Sequence, residues 1–286
     1  MRTINTAEQY RVDFDSVSEF VTYTAETPPV TEASRRQSHQ RGSNADWAGG
    51  DDFDAVVRIG HGGWSDGRER IAAMAKRMKT HVASRQNQRP RFAVRKAYTG
   101  TMVSVSAYLA GRPKQMRRIV REVRPSGKAC HIAINLCASG GVRASVLEAR
   151  GAAVAALVTV LERNGIRCEV TAYIQTGTPN GAKCAAAVVR VKSANSRLQI
   201  DSLAFMLAHP GAFRRLGFAF FESMPKWHRL LDIGGGYGNV TDNAEIRSES
   251  DIHLGGADLR SRDWGEAAAE QWIVSELERQ GVTIKG

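Results

Sequence analysis

Few of the signatures that assign a chemistry at sight occur in this sequence, and each absence excludes something. The four cysteines, Cys130, Cys137, Cys168 and Cys184, include no CxxC pair. Common zinc-ribbon and dithiol redox motifs are thereby removed. Four thiols in 286 residues also fall short of a disulfide framework. They read as free, buried side chains of a reducing compartment. No apolar run approaches the roughly 20 residues that span a bilayer. Residues 1–14 lack the apolar core of a secretory signal. A cytoplasmic protein with no membrane partner is expected. Gly234-Gly235-Gly236-Tyr237-Gly238 has neither the Lys-Ser/Thr of a phosphate loop nor a good helix directly after it, and reads as a flexible loop. Cys137 or Cys184 with His131 or His209 supplies the residue types of a thiol–imidazole pair, but nothing in the spacing joins them. His131, in a probable central strand, reads as a packed histidine. No internal repeat is present, and no cofactor is expected.

Acidic residues are scarce in one region only. Between Asp66 and Lys128 stand 17 basic residues against three acidic ones, a net +14, while the rest of the chain carries −3. Such asymmetry points to a partner. The candidate phosphate contacts are Arg68, Arg70, Lys76, Arg77, Lys79, Arg91, Arg95, Lys96, Arg112, Lys114, Arg117, Arg118, Arg121 and Arg124. The spacing of Met116, Ile119, Val120 and Val123 predicts a helix over Gln115–Val123 that projects Arg117, Arg118 and Arg121 together. Arginine suits phosphate because its planar fork donates two hydrogen bonds at once.

The architecture centres on residues 129–174. Cys130–Cys137 is dominated by apolar residues, Ala138-Ser139-Gly140-Gly141 is a turn, an Ala/Val-rich helical pattern runs from about Arg143 to Asn164, and a second β-rich run covers Ile166–Ile174. This is a βαβ unit, which predicts an α/β fold: a mixed, mostly parallel central sheet flanked by helices, with a basic helical N-terminal region. Ile132, Ile134, Val154, Leu157 and Val170 are the expected core. Three regions follow: residues 1–50, a helix capped by Ser16 and Glu19 plus a flexible arm; residues 51–128, basic, mainly helical and packed on the core; and residues 129–286, the α/β core. Lys183–Val191 reads as a hairpin strand, Asp251–Leu254 as a short strand, Asp263 as the cap of a last amphipathic helix and Gln280–Ile284 as an edge strand. Arg91–Ala97 also reads as a strand. Trp47 and Trp64 sit in loops, available either to stack on bases or to pin the N-terminal region onto the sheet.

Strand, Asn135-Leu136-Cys137-Ala138-Ser139 loop, long helix, strand and antiparallel strand together resemble a von Willebrand factor A-like domain over residues 129–191. In that family the first strand ends in Asp-x-Ser-x-Ser, a metal-ion-dependent adhesion site. Here Asn135 stands at the acidic position, Cys137 at the first serine and Ser139 at the second. An amide carries no charge for a hard cation and a thiol is a poor magnesium ligand, so the resemblance implies the fold with a degraded, metal-free site. Ala45 to Gly50 (Ala-Asp-Trp-Ala-Gly-Gly), Gly63-Trp64, and Leu203-Ala204-Phe205 before His209-Pro210 are similar to uncharacterised bacteriophage and prophage proteins, which would place the chain in a host cytoplasm. The expectation is a non-enzymatic, phage-related protein that binds DNA or RNA without sequence preference through its basic face. The alternative is a protein-interaction adaptor for an acidic partner.

Overall fold

The structure is a computed structural model; it describes every residue except 31, 33–35, 40–45, 51, 82–90, 123–128, 225, 232, 234–236, 259–263 and 283–286. Much of the expected arm, Arg124, the Asp263 cap, the glycines at 234–236 and the end of the expected last strand thus lie outside the described residues.

The N-terminus begins with strands rather than a helix. β1 (Arg2–Asn5) pairs antiparallel with β2 (Gln9–Phe14), in which Tyr10, Val12 and Phe14 are buried and the residues between them are not. That alternation is the period of a half-buried strand. α1 (Val17–Glu26) starts as its capping signature requires: Ser16 Oγ accepts from the Glu19 N–H at 3.1 Å, and the Glu19 carboxylate accepts from the Asp15 N–H at 2.7 Å. α2 (Phe53–Gly62) is capped by Asp52, whose carboxylate accepts from Ala55 N–H. α3 (Ser65–His81) buries Ile71, Met74, Ala75 and Met78, one stripe at helical spacing.

Ser84–Gly127 is a compact unit by itself. Its elements are β3 (Arg91–Ala97), β4 (Met102–Val103), the short α4 (Val105–Leu109) and β5 (Met116–Glu122), with antiparallel order β3-β5-β4. The helix expected over Gln115–Val123 is therefore a strand. Its apolar spacing fits either element, and pairing with β3 along seven register positions, from Arg91↔Glu122 to Ala97↔Met116, favours the strand. The helical character expected for residues 51–128 holds for α2 and α3 and fails for this unit.

The remaining chain supplies β6 (Cys130–Asn135), α5 (Ala144–Arg163), β7 (Cys168–Gly177), β8 (Cys184–Lys192), α6 (Ile200–Ala208), a π-helical segment (Ala212–Gly217), α7 (Phe218–Ser223), α8 (Trp227–Leu230), β9 (Asn239–Val240), α9 (Ala244–Glu249), β10 (Ile252–Leu254) and α10 (Glu266–Arg279). These complete a seven-stranded mixed sheet in the order β1-β2-β8-β7-β6-β10, with β9 also on β7. The pairs β2–β8, β6–β7 and β6–β10 are parallel; β1–β2, β7–β8 and β7–β9 are antiparallel. The βαβ unit stands as expected, and Ile132, Ile134, Val154, Leu157 and Val170 are all buried.

Alternation along the strands gives the sheet two unlike faces. One presents Tyr10, Val12, Ile132, Ile134, Val170, Ala187 and Val189 to a core shared with helices α1, α2, α3, α5, α6, α7 and α10. The other has a small apolar patch of Ala133, Tyr173, Val188 and Ile246, and α9 is the helix that joins it. α5 lies between the sheet and α3, α6 and α10, so it is buried nearly all round and apolar nearly all round. It corrects one expectation: by length and composition it equals a membrane span, yet 78% of its apolar window is buried inside the protein. Gly151 marks where α5 meets α6. A Cβ there would collide with the backbone of Leu207 and Ala208, so only glycine permits this approach.

Candidate functional site

The Ser84–Gly127 unit carries eleven basic residues and one acidic residue, leaving +1 for everything else. Strand register arranges part of this charge. Arg95 is opposite Arg118, and Lys96 is opposite Arg117, on successive rungs of the β3–β5 ladder. Successive rungs project to opposite faces, so each face holds one like-charge pair, and all four side chains are exposed. Like charges directly opposite each other destabilise an antiparallel pair, and an anion seated there offsets the repulsion. The expected grouping of Arg117, Arg118 and Arg121 on one helix face is corrected accordingly: Arg117 and Arg121 share a strand parity, and Arg118 has the other.

Apolar residues interleave with these cations. Val94 lies opposite Ile119 on the Lys96–Arg117 face, with Met102 in register with Arg117. Val94, Tyr98, Met102, Val103, Val105, Tyr108, Leu109 and Ile119 are 44–79% exposed, and they make up most of the large exposed hydrophobic residues among those described. Lys114 Nζ lies 5.7 Å from the centre of the Tyr98 ring. Arg112 and Lys114 are exposed on the same unit. Lys79, Arg91 and Arg121 are placed by their backbone alone.

The α3 arginines are held by carboxylates of neighbouring helices. Arg68 pairs with Asp201 at 3.1 Å, Arg70 with Glu148, and Arg77 with Glu270 at 2.6 Å and Glu266 at 3.4 Å. Their charge is largely matched within the protein, and the helix is fastened to α5, α6 and α10 by them. Lys76 is exposed beside them. Sequence distance hid these carboxylates.

The loop after β6 brings Asn135 and Cys137 together, while Ser139 pairs with Ala257. Asn135 Nδ2 donates to Asp242 Oδ1 at 2.8 Å and to Thr241 O at 2.9 Å, while its Oδ1 accepts from Cys137 N–H at 3.0 Å. A carboxylate at 135 has no proton for either donation. Burial pushes the Cys137 thiol far above its usual range, and the Gln175 N–H that its sulfur accepts acts the other way. Ser139 N–H donates to Ala257 O. Asp242, which sequence reasoning missed, also accepts from Gly256 N–H and from the Tyr173 hydroxyl, itself 2.8 Å from His253 Nε2. Burial opposes ionisation of Asp242, but the donors, led by Asn135, hold its carboxyl below the ordinary value. Burial lowers the His253 imidazole, against the pull of Asp242. The described residues contain no metal-binding group of His, Cys, Asp or Glu. His131, expected to be packed, is half exposed, 4.0 Å from Glu169.

The stretches at Asp46–Gly50, Gly63-Trp64 and Leu203–Pro210 meet in one corner. A Cβ on Gly49, whose φ is +94°, would touch Pro210 at 3.1 Å; Trp64 lies edge-on to His209 at 4.7 Å. Trp47 takes the pinning role, donating from Nε1 to Gly140 O at 2.9 Å. Behind it sits Arg214, fully buried, with its guanidinium 4.1 Å from the centre of the Trp47 ring and its Nη atoms donating to Trp47 O and Val142 O. Burial lowers its pKa to about 10, which still leaves it charged at neutrality. Arg215 donates to Ser38 O, and buried Glu222 accepts from Ser38 and the Tyr237 hydroxyl. Arg214, Glu222 and Tyr237 had no signal in the sequence, because their partners lie up to 200 residues away.

No curated protein and no solved structure matches the chain. A family model does, over residues 2–284, and its description is Domain of unknown function (DUF7192). Over almost its whole length, then, the chain belongs to the DUF7192 family.

Proposed function

We propose that this protein is a non-enzymatic nucleic-acid-binding protein that grips the phosphate backbone with its Ser84–Gly127 unit and has little sequence preference. The observation that carries this reading is the pair of like-charge rungs, Arg95↔Arg118 and Lys96↔Arg117, in a unit of eleven basic residues and one acidic residue. A second copy of so basic a unit is a poor partner for it, whereas a polyanion relieves the repulsion. Exposed Tyr98 and Tyr108 add flat surfaces for stacking on bases, which favours single strands. The paired α3 cations Arg68, Arg70 and Arg77 contribute less than their number suggests.

The test is fluorescence anisotropy of the full chain with unrelated single- and double-stranded oligonucleotides from about 50 to 200 mM salt, the range over which phosphate contacts lose most affinity. Binding to all sequences, falling steeply with salt, supports the reading. A second reading, an adaptor of von Willebrand factor A-like descent, draws support from the succession β6, α5, β7 and antiparallel β8. If neither kind of strand binds at low salt, an acidic protein becomes the partner to seek.

A further inference from the structure

A concave crevice of about 420 Å³ opens beyond the carboxyl ends of β6 and β7, the end of an α/β sheet at which ligands bind. Trp47, Phe213, Phe218 and Tyr237 form its aromatic wall, with Ser139 and Asn239 on its polar side. The rings pack on each other. Phe218 stacks on Tyr237 at 4.4 Å and 23°, and it lies 5.6 Å from Trp47 and 5.1 Å from Phe213. The Ser139 hydroxyl and the Asn239 side chain make no hydrogen bond among the described residues. Two features of the kind that gather at functional sites border the crevice. Phe213 belongs to the π-helical segment Ala212–Gly217, and Tyr237 holds a φ of +59°.

Charge decides what such a crevice takes. An aromatic cage suits a quaternary ammonium when its ring faces are free to meet the cation. Here the guanidinium of fully buried Arg214 already lies 4.1 Å from the centre of the Trp47 ring, with carbonyl oxygens as its partners and its Nε unpartnered. A cation on one face of an indole makes the other face poorer in electrons. A second cation is thereby disfavoured, and an electron-rich or anionic ring is favoured. Among the described residues, no charged side chain lines the crevice. Its volume falls within the range of small-molecule sites.

We propose that this crevice binds a planar heteroaromatic molecule of nucleobase type, neutral or anionic, seated against Trp47 and the Phe218–Tyr237 stack. The Ser139 hydroxyl and the Asn239 amide meet its polar edge. The proposal is independent of the basic unit.

The experiment is ligand-observed NMR and calorimetry on the full chain with the four common nucleosides and their 5′-monophosphates, using choline and trimethyl-lysine as cationic probes. At least one nucleoside or nucleotide should bind more tightly than about 1 mM, and the cations should not. Ser139→Phe, which adds bulk to the crevice lining, should weaken that binding at least about tenfold with an unchanged melting midpoint, since a blocked site loses more than about 1.4 kcal/mol. Should Ser139→Phe not fold, Asn239→Trp fills the space from an exposed position and is held to the same criterion. Lys96→Gln/Arg117→Gln should leave nucleoside binding intact. Absence of binding by every nucleoside and nucleotide overturns the proposal, as does preference for the cations or indifference to the filling variant.

Discussion

Replacing Gly151 by alanine separates what local propensity favours from what this fold requires. In an isolated helix the change stabilises by about 1 kcal/mol, since alanine is the best helix former and glycine among the worst. In α5 the new Cβ would lie where the backbone of Leu207 and Ala208 already is. Backbone cannot rotate away as a side chain can, and α5 is held on its other sides by the sheet, α3 and α10. The helices must therefore separate. Overpacking strain is about 1–3 kcal/mol, and opening on the order of 100 Å³ beside α6 costs about 2.4 kcal/mol at roughly 24 cal/mol per Å³. After subtracting the propensity gain, the net loss is roughly 2–4 kcal/mol. Urea denaturation followed by circular dichroism measures it, with Gly62→Ala as control. Gly62 is helical too, but a Cβ there meets open space, so its substitution should be neutral or mildly stabilising. If Gly151→Ala proves as stable as the wild type, the account of α5–α6 packing is wrong.

Further outcomes are expected. Leu157→Ala, at a fully buried α5 position, should destabilise by about 2–5 kcal/mol; a loss below about half a kilocalorie in the same denaturation assay would move the core elsewhere. The wild type should show no calorimetric response to magnesium, calcium or manganese tighter than roughly millimolar. Asn135→Asp, which sets a second carboxylate against Asp242, should lower stability at neutral pH and recover part of it when calcium or magnesium is added; a stability unchanged in both conditions would contradict the role given to the amide. Stability should also fall on acidification. His253 has a folded pKa below its unfolded value, so between the two the unfolded chain binds the extra proton, and stability is lost as pH drops through and below about 6.5. Asp242, likewise depressed, adds a loss as pH falls through its unfolded value of about 3.9 and below. His253→Gln should flatten the first phase, leaving the part carried by His39, whose pKa burial and Arg36 also lower; an unaltered profile in melting experiments would refute the assignment.

What the sequence made legible follows from the range of the forces involved. The βαβ unit could be read because Cys130–Asn135 and Cys168–Gly177 are apolar runs bounded by turns, and each signal lies within a few residues. The Tyr10-x-Val12-x-Phe14 alternation is equally local, but it is short and flanked by polar residues, and the helix signal at Ser16 overshadowed it. β5 was ambiguous for a physical reason: Met116, Ile119, Val120 and Val123 sit one and two turns apart, yet only pairing with β3, from 19 to 31 residues earlier, decides the conformation. The excess of basic charge was visible as a count. Its division was not, since Asp201, Glu148, Glu266 and Glu270, which neutralise Arg68, Arg70 and Arg77, are remote in the chain. That an amide at 135 and a thiol at 137 are poor ligands for a hard cation was read from chemistry alone, and the amide of Asn135 has a positive use as donor to Asp242.

Under the proposed function, the basic unit binds a polyanion through the two rungs of β3 and β5. The most direct measurement compares the salt dependence of oligonucleotide binding by this chain with that of a variant in which Arg95, Lys96, Arg117 and Arg118 are all glutamine. Log affinity of the wild type should fall linearly with log salt, by about 0.7 per phosphate contact on single strands and about 0.9 on duplex. The variant should bind more weakly to every sequence, with a slope shallower by up to four contacts' worth. A variant that keeps the wild-type slope and affinity would contradict the account.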